Sequence, residues 1–367
     1  MHIVSNDREK FAYWVKTAAR FCEKRSTRPS WELLRFEAHH DGQLYLHARN
    51  GRCELRLCSP GVSIDLKANV DNQFLVGSEI ISNVLSVADS SKVELSKSGE
   101  ALLVMCGSSD FTLYTHDMEF TAVDPFDCAS FIMVRPSDFM DLIQRVAFCC
   151  GSDAIKYGID SIYAKLVGDD LVMRATDGRM AIRSTCKCVG VGSTAAFTIP
   201  KESIKYLDAF CSSAMGDTML QVGFTDRVHL RLGKSAARIM LNEGREPPMD
   251  QFFQIASDSK EAYVDSTDLL SAVNQIYGQL DQETMACSLE FSKCSCKVRT
   301  GKSCVEIACV SQWDFWLSLD CKLLRSFLHG TPPHTEFCLQ FTGQDTPFHF
   351  VYGNTHFLMM PMQVPSA

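Results

Sequence analysis

One short segment carries the residue types that a catalytic or phosphate-binding site needs. The segment RATDGRMAI, at 174–182, places Thr176, Asp177 and Gly178 in a row with an arginine on either side. Asp177 could act as a general acid or base, but such catalysis needs a second positioned group. The sequence offers no second carboxylate, histidine or nucleophile at a telling spacing, and no phosphate-loop, nucleophile-elbow or zinc-protease motif. The alternative is a hairpin turn, because Asp-Gly is a strong turn dipeptide.

Cysteines are the other candidates for chemistry. The chain has 17 of them, and the closest pairs are Cys149/Cys150, Cys186/Cys188 and Cys294/Cys296. None of these pairs has the C-x₂-C spacing of a zinc knuckle, and no matching pair of histidines follows. We therefore expect neither a metal nor a cofactor. The thiols are interpreted as small, reduced core residues of a cytoplasmic protein.

Composition limits the remaining functions. Of the 367 residues, 46% are hydrophobic and 22% are charged, which is ordinary for a globular protein. The net charge is −8, so any contact with nucleic acid must be local. The first ten residues carry charges and lack the apolar segment of a signal peptide, so none is expected. No apolar run reaches the length of a membrane span.

Three predicted helices share one apolar pattern, and they belong to the framework that must position the segment at 174–182. Apolar residues stand at i, i+3, i+4, i+7, i+8 and i+11 from Phe11, Phe139 and Leu269, which lie 128 and 130 residues apart. Candidate N-caps precede each helix at 6–7, 137–138 and 266–268. A second helix is predicted later in each repeat, over 77–89, 200–210 and 320–330.

The hairpin that contains Asp177 is also repeated. GQLYLHARNGRCEL at 42–55 aligns with DDLVMRATDGRMAI at 169–182, so that Asn50 and Gly51 match Asp177 and Gly178. The third copy, at 287–309, keeps the alternation of a strand but has lost the turn dipeptide. A turn that recurs with Asn in place of Asp is more simply structural than catalytic.

The repeat predicts an α+β chain of three tandem domains, each made of two helix-plus-sheet half-repeats with mixed sheets. The boundaries are expected at 1–127, 128–249 and 250–367, near DPFDCAS and the proline-containing REPPMDQ. Three such domains could form an open arc, or half of a closed ring if two chains meet head to tail.

At this point the chain resembles the bacterial sliding clamp family, the beta subunit of DNA polymerase III. RPSDFMDLIQRVAF at 135–148 is similar to the start of the family's second domain, and FLMMPM at 357–362 to its last strand. ATDG at 175–178 is similar to the family's hairpin signature. The resemblance implies three tandem clamp domains in half of a closed homodimeric ring. Such a ring encircles double-stranded DNA without reading its sequence, and it is a processivity factor rather than an enzyme.

The resemblance also assigns roles to residues. Basic residues of the predicted helices would face DNA, together with two loop positions. They are Lys10, Lys16, Arg20, Lys24, Arg25, Arg145, Lys156, Tyr157, Lys201, Lys205, Lys322 and Arg325. Taken alone, these charges are also typical of a solvated helix face.

A partner pocket is implied between the hairpin signature, a proline-containing linker and the last strand. The polymerase catalytic subunit and the clamp loader would insert short, partly apolar peptides there. The matching residues are Ile159, Thr176, Gly178, Arg179, Met180, Pro247, Leu358, Met359, Met360, Pro361 and Met362. The family's His-Arg is here the single Arg179, and its Phe-Pro-Asp is here Glu246-Pro247-Pro248, so the resemblance implies a divergent clamp.

The ring would close where the first domain of one chain meets the third domain of another. By resemblance, Phe111 and Leu113 on an edge strand would meet Leu280 of the partner copy. The alternative function is that of a clamp-like, non-catalytic scaffold or inhibitor that no longer loads on DNA.

Overall fold

The computed structural model describes residues 1–39, 42–59, 61–65, 72–87, 90–123, 126, 128–152, 158–192, 196–214, 216–241, 246–280 and 285–362. These residues divide into two compact units. Unit 1 comprises Met1–Met140, Cys188–Ala195 and Glu202–Leu241. Unit 2 comprises Asp141–Lys187, Ala196–Lys201 and Asn242–Ala367. The boundaries expected at residues 127 and 249 remain a prediction.

Helices occur in the described residues at the places that the apolar repeat predicts. They are α1 (Arg8–Ala19), α2 (Ser78–Val87), α3 (Pro136–Ala147), α4 (Ile204–Cys211), α5 (Ser266–Tyr277) and α6 (Cys321–His329). Their capping differs in part from the prediction. Asp7 caps α1 as expected, through an oxygen that accepts a hydrogen bond from the Lys10 amide at 3.0 Å. The cap of α5 is Asp265, one residue before the predicted segment, and α3 begins at Pro136, so that 137–138 lie inside it.

The strands of the described residues alternate with these helices. They are β1 (His2–Ser5), β2 (Leu33–Ala38), β3 (Leu44–Arg49), β4 (Cys53–Cys58), β5 (Ser63–Asp65), β6 (Gln73–Gly77), β7 (Val93–Ser98), β8 (Ala101–Cys106), β9 (Ser109–His116), β10 (Phe131–Val134), β11 (Ser161–Val167), β12 (Asp170–Thr176), β13 (Met180–Lys187), β14 (Val189–Val191), β15 (Phe197–Pro200), β16 (Leu220–Phe224), β17 (Arg227–Leu232), β18 (Ser235–Met240), β19 (Lys260–Asp265), β20 (Ala286–Phe291), β21 (Ser295–Thr300), β22 (Ser303–Ala308), β23 (Val310–Ser311), β24 (Phe315–Asp320), β25 (Glu336–Phe341), β26 (Phe348–Tyr352) and β27 (Thr355–Met359).

Unit 1 is built on one sheet. Its described strands run in the order β14-β10-β16-β17-β18-β4-β3-β2-β6-β9-β8-β7-β1-β5. Helix α1 packs against α2 and turns Phe11, Trp14 and Val15 into the core. The exposed side of α1 carries Lys16, so one face of this helix is apolar and the other is polar.

Unit 2 is built on two sheets. The larger runs in the order β15-β11-β12-β13-β27-β26-β25-β19-β23, and the smaller in the order β22-β21-β20-β24. Its core is rich in phenylalanine, and Phe327 of α6 stacks on Phe357 of β27 with ring centroids 4.0 Å apart. Mixed sheets were the wrong expectation, because the described pairings in both units are antiparallel. None of the described helices is long and apolar enough to cross a membrane.

Candidate functional site

The turn at Asp177 uses its carboxylate to hold its own backbone. Oxygen Oδ1 accepts hydrogen bonds from the amides of Arg179 and Met180, at 2.8 and 2.9 Å. Thr176 adds a second clamp, since its hydroxyl donates to the Met180 carbonyl at 2.7 Å and accepts from the Gly178 amide at 3.0 Å. Gly178 has φ of +90°, a backbone conformation that favours glycine.

Unit 1 contains an equivalent turn at Asn50, although Gly51 does not share the positive φ of Gly178. Its Oδ1 accepts from the amides of Arg52 and Cys53, at 2.8 and 2.9 Å. The matching distances indicate that the acceptor oxygen is needed for the turn and that its charge is not. The third copy is a shorter turn, in which Gly301 and Lys302 join β21 to β22 and Gly301 has φ of +52°.

A groove of about 430 Å³ lies beside this turn in unit 2. It gathers three of the predicted pocket residues, Ile159, Arg179 and Met180, with Lys201 and Lys322, which the sequence predicts to face DNA. The sequence also left several lining residues unassigned: Phe148, Cys150, Gly151, Ser152, Asp177, Leu323 and Ser326. The groove therefore combines an apolar surface with three cations.

The register between β13 and β27 divides the other predicted pocket residues between two faces of the sheet. Met180 is paired with Met359, and Ala181 with Leu358. Opposed residues in an antiparallel pair point to the same face, and successive residues point to opposite faces. Leu358 packs with Met249 on the face opposite to Met180.

Beyond β27 the chain continues along the hairpin and then reaches another strand. The amide of Met360 donates to the Arg179 carbonyl at 2.9 Å, and the amide of Met362 donates to the Ser318 carbonyl of β24 at 2.7 Å. The Met360 side chain is 39% exposed, whereas Met359 is buried. Pro361 is half-buried.

The connector, residues 246–253 of unit 2, contains Pro247 and is held in place by ion pairs and by packing. Arg174 of β12 forms ion pairs with Glu246 and Asp250. Burial raises the pKa of Glu246, and Arg174 opposes that rise. Pro247 is half-buried between the two ion pairs along the chain.

Phe253, at the end of a short 3₁₀ segment (Asp250–Phe253), meets a pair of histidines. Its ring lies edge-on to His356 with centroids 5.1 Å apart. The Nε2 atom of His356 is 2.8 Å from Nδ1 of His349. Burial lowers the pKa of both rings, and that of His356 falls to about 4 because His349 and Arg183 also oppose its protonation.

The predicted DNA-facing cations lie in different environments. Exposed residues are Lys10, Lys16, Arg20, Lys24, Arg25, Lys201, Lys205 and Lys322, and Arg145 is half-buried. Four of the cations have partners. Lys10 pairs with Asp7 at 2.9 Å, Lys201 donates to the Cys150 carbonyl at 2.9 Å, and Arg325 donates to Asn274 at 2.7 Å. The Lys205 ammonium group lies over the Tyr206 ring, 4.8 Å from its centroid. Lys156 and Tyr157 lie outside the described residues.

The predicted dimer residues are placed on β9 and after α5. Leu113 is buried, and Phe111 and Leu280 are half-buried. No group of three or more His, Cys, Asp or Glu side chains within the described ranges is arranged to hold a metal ion.

Comparisons with known proteins agree with this architecture. The sequence profile of the DNA polymerase III beta subunit N-terminal domain matches residues 2–122. A beta sliding clamp of Streptomyces coelicolor is 27% identical over 178 residues, which is 48% of this chain. The match spans about half of that relative's length, 46%.

Solved structures extend the likeness to the whole chain. The DNA polymerase III beta subunit of Thermotoga maritima superimposes with a TM-score of 0.85 at 16% identity, over 99% of this chain and 100% of its own. A sliding clamp of Pseudomonas aeruginosa bound to griselimycin superimposes with a TM-score of 0.87 at 17% identity, over the same shares of the two chains. At such identities the likeness establishes the fold, and the profile match adds the sequence relationship. This chain therefore has the fold of the solved beta sliding clamps over nearly its whole length, and its residues 2–122 are similar in sequence to the N-terminal domain of the DNA polymerase III beta subunit.

Proposed function

We propose that this protein is a DNA sliding clamp, a ring-shaped processivity factor that tethers a replicative polymerase to duplex DNA. The observation that carries the proposal is the sliding-clamp fold over 99% of the chain, including all three copies of the helix-and-hairpin repeat. The proposal assigns the chain no catalytic chemistry of its own. It is consistent with the Asp177 turn, where the side chain stabilises the backbone.

Exposed cations on the helices support contact with DNA. The net charge is −8, so the basic side chains of α1 stand out against an acidic chain. Lys16 and Arg20 are exposed, whereas Phe11 and Trp14 of the same helix are buried. A protein that slides needs phosphate contacts that are numerous, weak and independent of sequence.

The internal repeat suggests how two copies close the ring. Strand β18 pairs with β4, and β27 pairs with β13. In each repeat, β4, β13 or β22 ends the first half and β9, β18 or β27 ends the second half. The strands left for a third pair are therefore β9 and β22. Within the described residues, β22 is paired with β21 alone. Strand β9 pairs with β6 at Thr115 and His116, whereas within the described residues its part before Thr115 is paired with β8 alone. We propose that this part of β9 pairs with β22 of a second copy, since an unpaired strand edge is a template for another strand. Phe111 and Leu113 of β9 would then lie at the interface with Leu280.

Partners are proposed to dock by short peptides in the groove beside Met180. An apolar groove lined by methionine adapts to several peptide sequences. The partners expected for such a groove are a polymerase subunit and a clamp loader.

A topological test separates a clamp from an ordinary DNA-binding protein. The protein is incubated with a linear duplex fixed to a bead at one end, and the free end is then blocked with a bulky protein. A clamp stays on the blocked duplex through a high-salt wash and leaves when a restriction enzyme cuts the DNA. Loss during the wash would instead indicate phosphate contacts that salt screens.

Two further measurements address the alternative, a clamp-like scaffold or inhibitor. Native mass measurement at micromolar concentration should give a dimer, and a stable monomer would contradict the closed ring. A scaffold would bind partner peptides and fail the topological test. A clamp would pass that test and also lengthen the products that a partner polymerase makes.

A further inference from the structure

The first and second copies of the repeat can be aligned by hydrogen bonds rather than by sequence. In unit 1 the amide of Glu23 donates to the Trp31 carbonyl at 2.8 Å. In unit 2 the amide of Gly151 donates to the Ile159 carbonyl at the same distance. Each residue of the second couple lies 128 positions after its counterpart in the first, and α3 begins 128 positions after α1. Trp31 and Ile159 are therefore structural equivalents.

Three contacts in unit 1 connect the Asn50 turn to neighbouring residues. The Trp31 ring lies so close to Gly51 that a Cβ atom there would come within 3.1 Å of it. The Asn50 amide group donates to the Phe21 carbonyl at 2.9 Å. The third contact is an ion pair between Arg52 and Glu202.

In unit 2 the residues at these three positions differ, and the contacts are lost. Ile159 is smaller than Trp31, and it lines the groove. Asp177 stands where Asn50 donates, and a carboxylate has no hydrogen to donate.

The residue opposite the turn arginine also changes its charge, from Glu202 in unit 1 to Lys322 in unit 2. Glu202 is the second residue after β15, and Lys322 is the second residue after β24. The couple Arg52 and Glu202 thus corresponds to Arg179 and Lys322, two cations that line one groove. Within the described residues neither cation has a carboxylate within ion-pair distance.

A third cation strengthens this electrostatic imbalance. Lys201 also lines the groove, although its ammonium group already donates to the Cys150 carbonyl. The carboxylate in the lining is that of Asp177, and one of its oxygens is used by the turn. The groove therefore has an excess of positive charge beside an apolar surface.

We propose that the groove selects partner peptides that carry a carboxylate next to a large apolar side chain. The carboxylate takes the place that Glu202 occupies in unit 1, between Arg179 and Lys322. The apolar side chain packs on Phe148, Met180 and Leu323. This inference rests on the proposed function, because it names the chemistry of the partner segment at the same groove.

The test compares peptides that differ by one charge. Fluorescent peptides rich in leucine and phenylalanine are synthesised in pairs, with Asp or Asn placed at each position in turn, and their binding to the full chain is followed by anisotropy. At one position or more, the Asp peptide should bind about three- to tenfold tighter at low salt, as expected for an exposed carboxylate shared by two cations. The preference should shrink as salt is added.

Two variants make the assignment specific. Lys322→Glu would give Arg179 the partner that Arg52 has in unit 1, so the preference for Asp should vanish or reverse. Lys293→Glu changes the net charge equally in the turn between β20 and β21, outside the groove lining, and should keep the preference. Equal binding of Asp and Asn peptides at every position would overturn the inference and leave the peptide groove intact. Binding of no peptide would overturn the groove as a partner site, while the topological test on DNA would still decide the clamp function.

Discussion

Protonation of His356 should weaken the part of unit 2 that holds the connector. The ring is enclosed by Phe253, His349 and Arg183, and none of these offers a negative charge. Its pKa is lowered from an ordinary value of 6.5 to about 4. A group whose pKa is lower in the folded state binds more protons when unfolded, so stability falls as pH drops from about 6.5 toward 4. Above that window the ring is neutral in both states and its contribution is constant.

The shift sets the size of the effect. Linkage between pKa values of 6.5 and about 4 gives a loss of about 2 kcal/mol between pH 7 and pH 5. Part of the ring stays accessible to water, and solvent screening should reduce this to about 1 kcal/mol. His356→Gln removes the titrating group. Between pH 7 and pH 5 the wild type should therefore lose about 1 kcal/mol more of its stability than the variant does.

Hydrogen exchange of the amides of β26 and β27, corrected for intrinsic rates at each pH, measures the local opening free energy. His116→Gln is a matched control, because His116 is an exposed ring in unit 1. Parallel pH dependence in wild type and His356→Gln would refute the reasoning. So would an NMR titration in which the His356 ring protonates near 6.5.

Four other substitutions test the two turns, the segment 246–253 and the core of unit 2. Asn50→Asp keeps the turn acceptor and loses the donor to the Phe21 carbonyl, so it should cost about 1–2 kcal/mol in thermal unfolding. Asp177→Asn keeps the acceptor in unit 2 and should be nearly neutral, and a loss as large as that of Asn50→Asp would contradict the role given to the turn. Arg174→Gln removes both ion pairs of the connector and should speed proteolytic cleavage near 246–250, with Lys187→Gln, at an exposed pair with Asp170, as the control. Phe327→Ala should cost about 3–5 kcal/mol and lower the melting temperature, because its ring is buried among Phe337, Phe350 and Phe357.

Much of the fold could be predicted because the chain repeats it. The apolar pattern at Phe11, Phe139 and Leu269 located α1, α3 and α5, which the structure confirms. The repeated hairpins were also confirmed, because Asn-Gly or Asp-Gly between two alternating segments favours a turn. The antiparallel character of the sheets was missed, since strand direction depends on connections rather than on the alternation of a single strand.

The candidate site was less accessible to sequence reasoning. Lys201 and Lys322 were predicted to face DNA, and the structure places both in the groove with Arg179. A helix pattern gives the polar face of a helix but not the element that faces it. Leu358 was predicted to share a pocket with Met180, and it lies on the other face of the sheet. The register between β13 and β27, which are far apart in the chain, decides that outcome and leaves no trace in either strand alone.

A protein built from copies of one unit provides its own measure of what the fold requires. The two hydrogen bonds that the side-chain oxygen accepts are the same at Asn50 and at Asp177, so folding alone accounts for them. The contacts around the turn differ. Unit 1 satisfies Arg52 with Glu202, whereas unit 2 leaves Arg179 facing a groove with Lys322. The fold does not need that second arrangement, because the first copy adopts the same hairpin with the ion pair in place. Where one copy of a repeat gives up a stabilising ion pair that another copy keeps, binding is the simplest physical reason for the difference, since a partner can supply the missing charge.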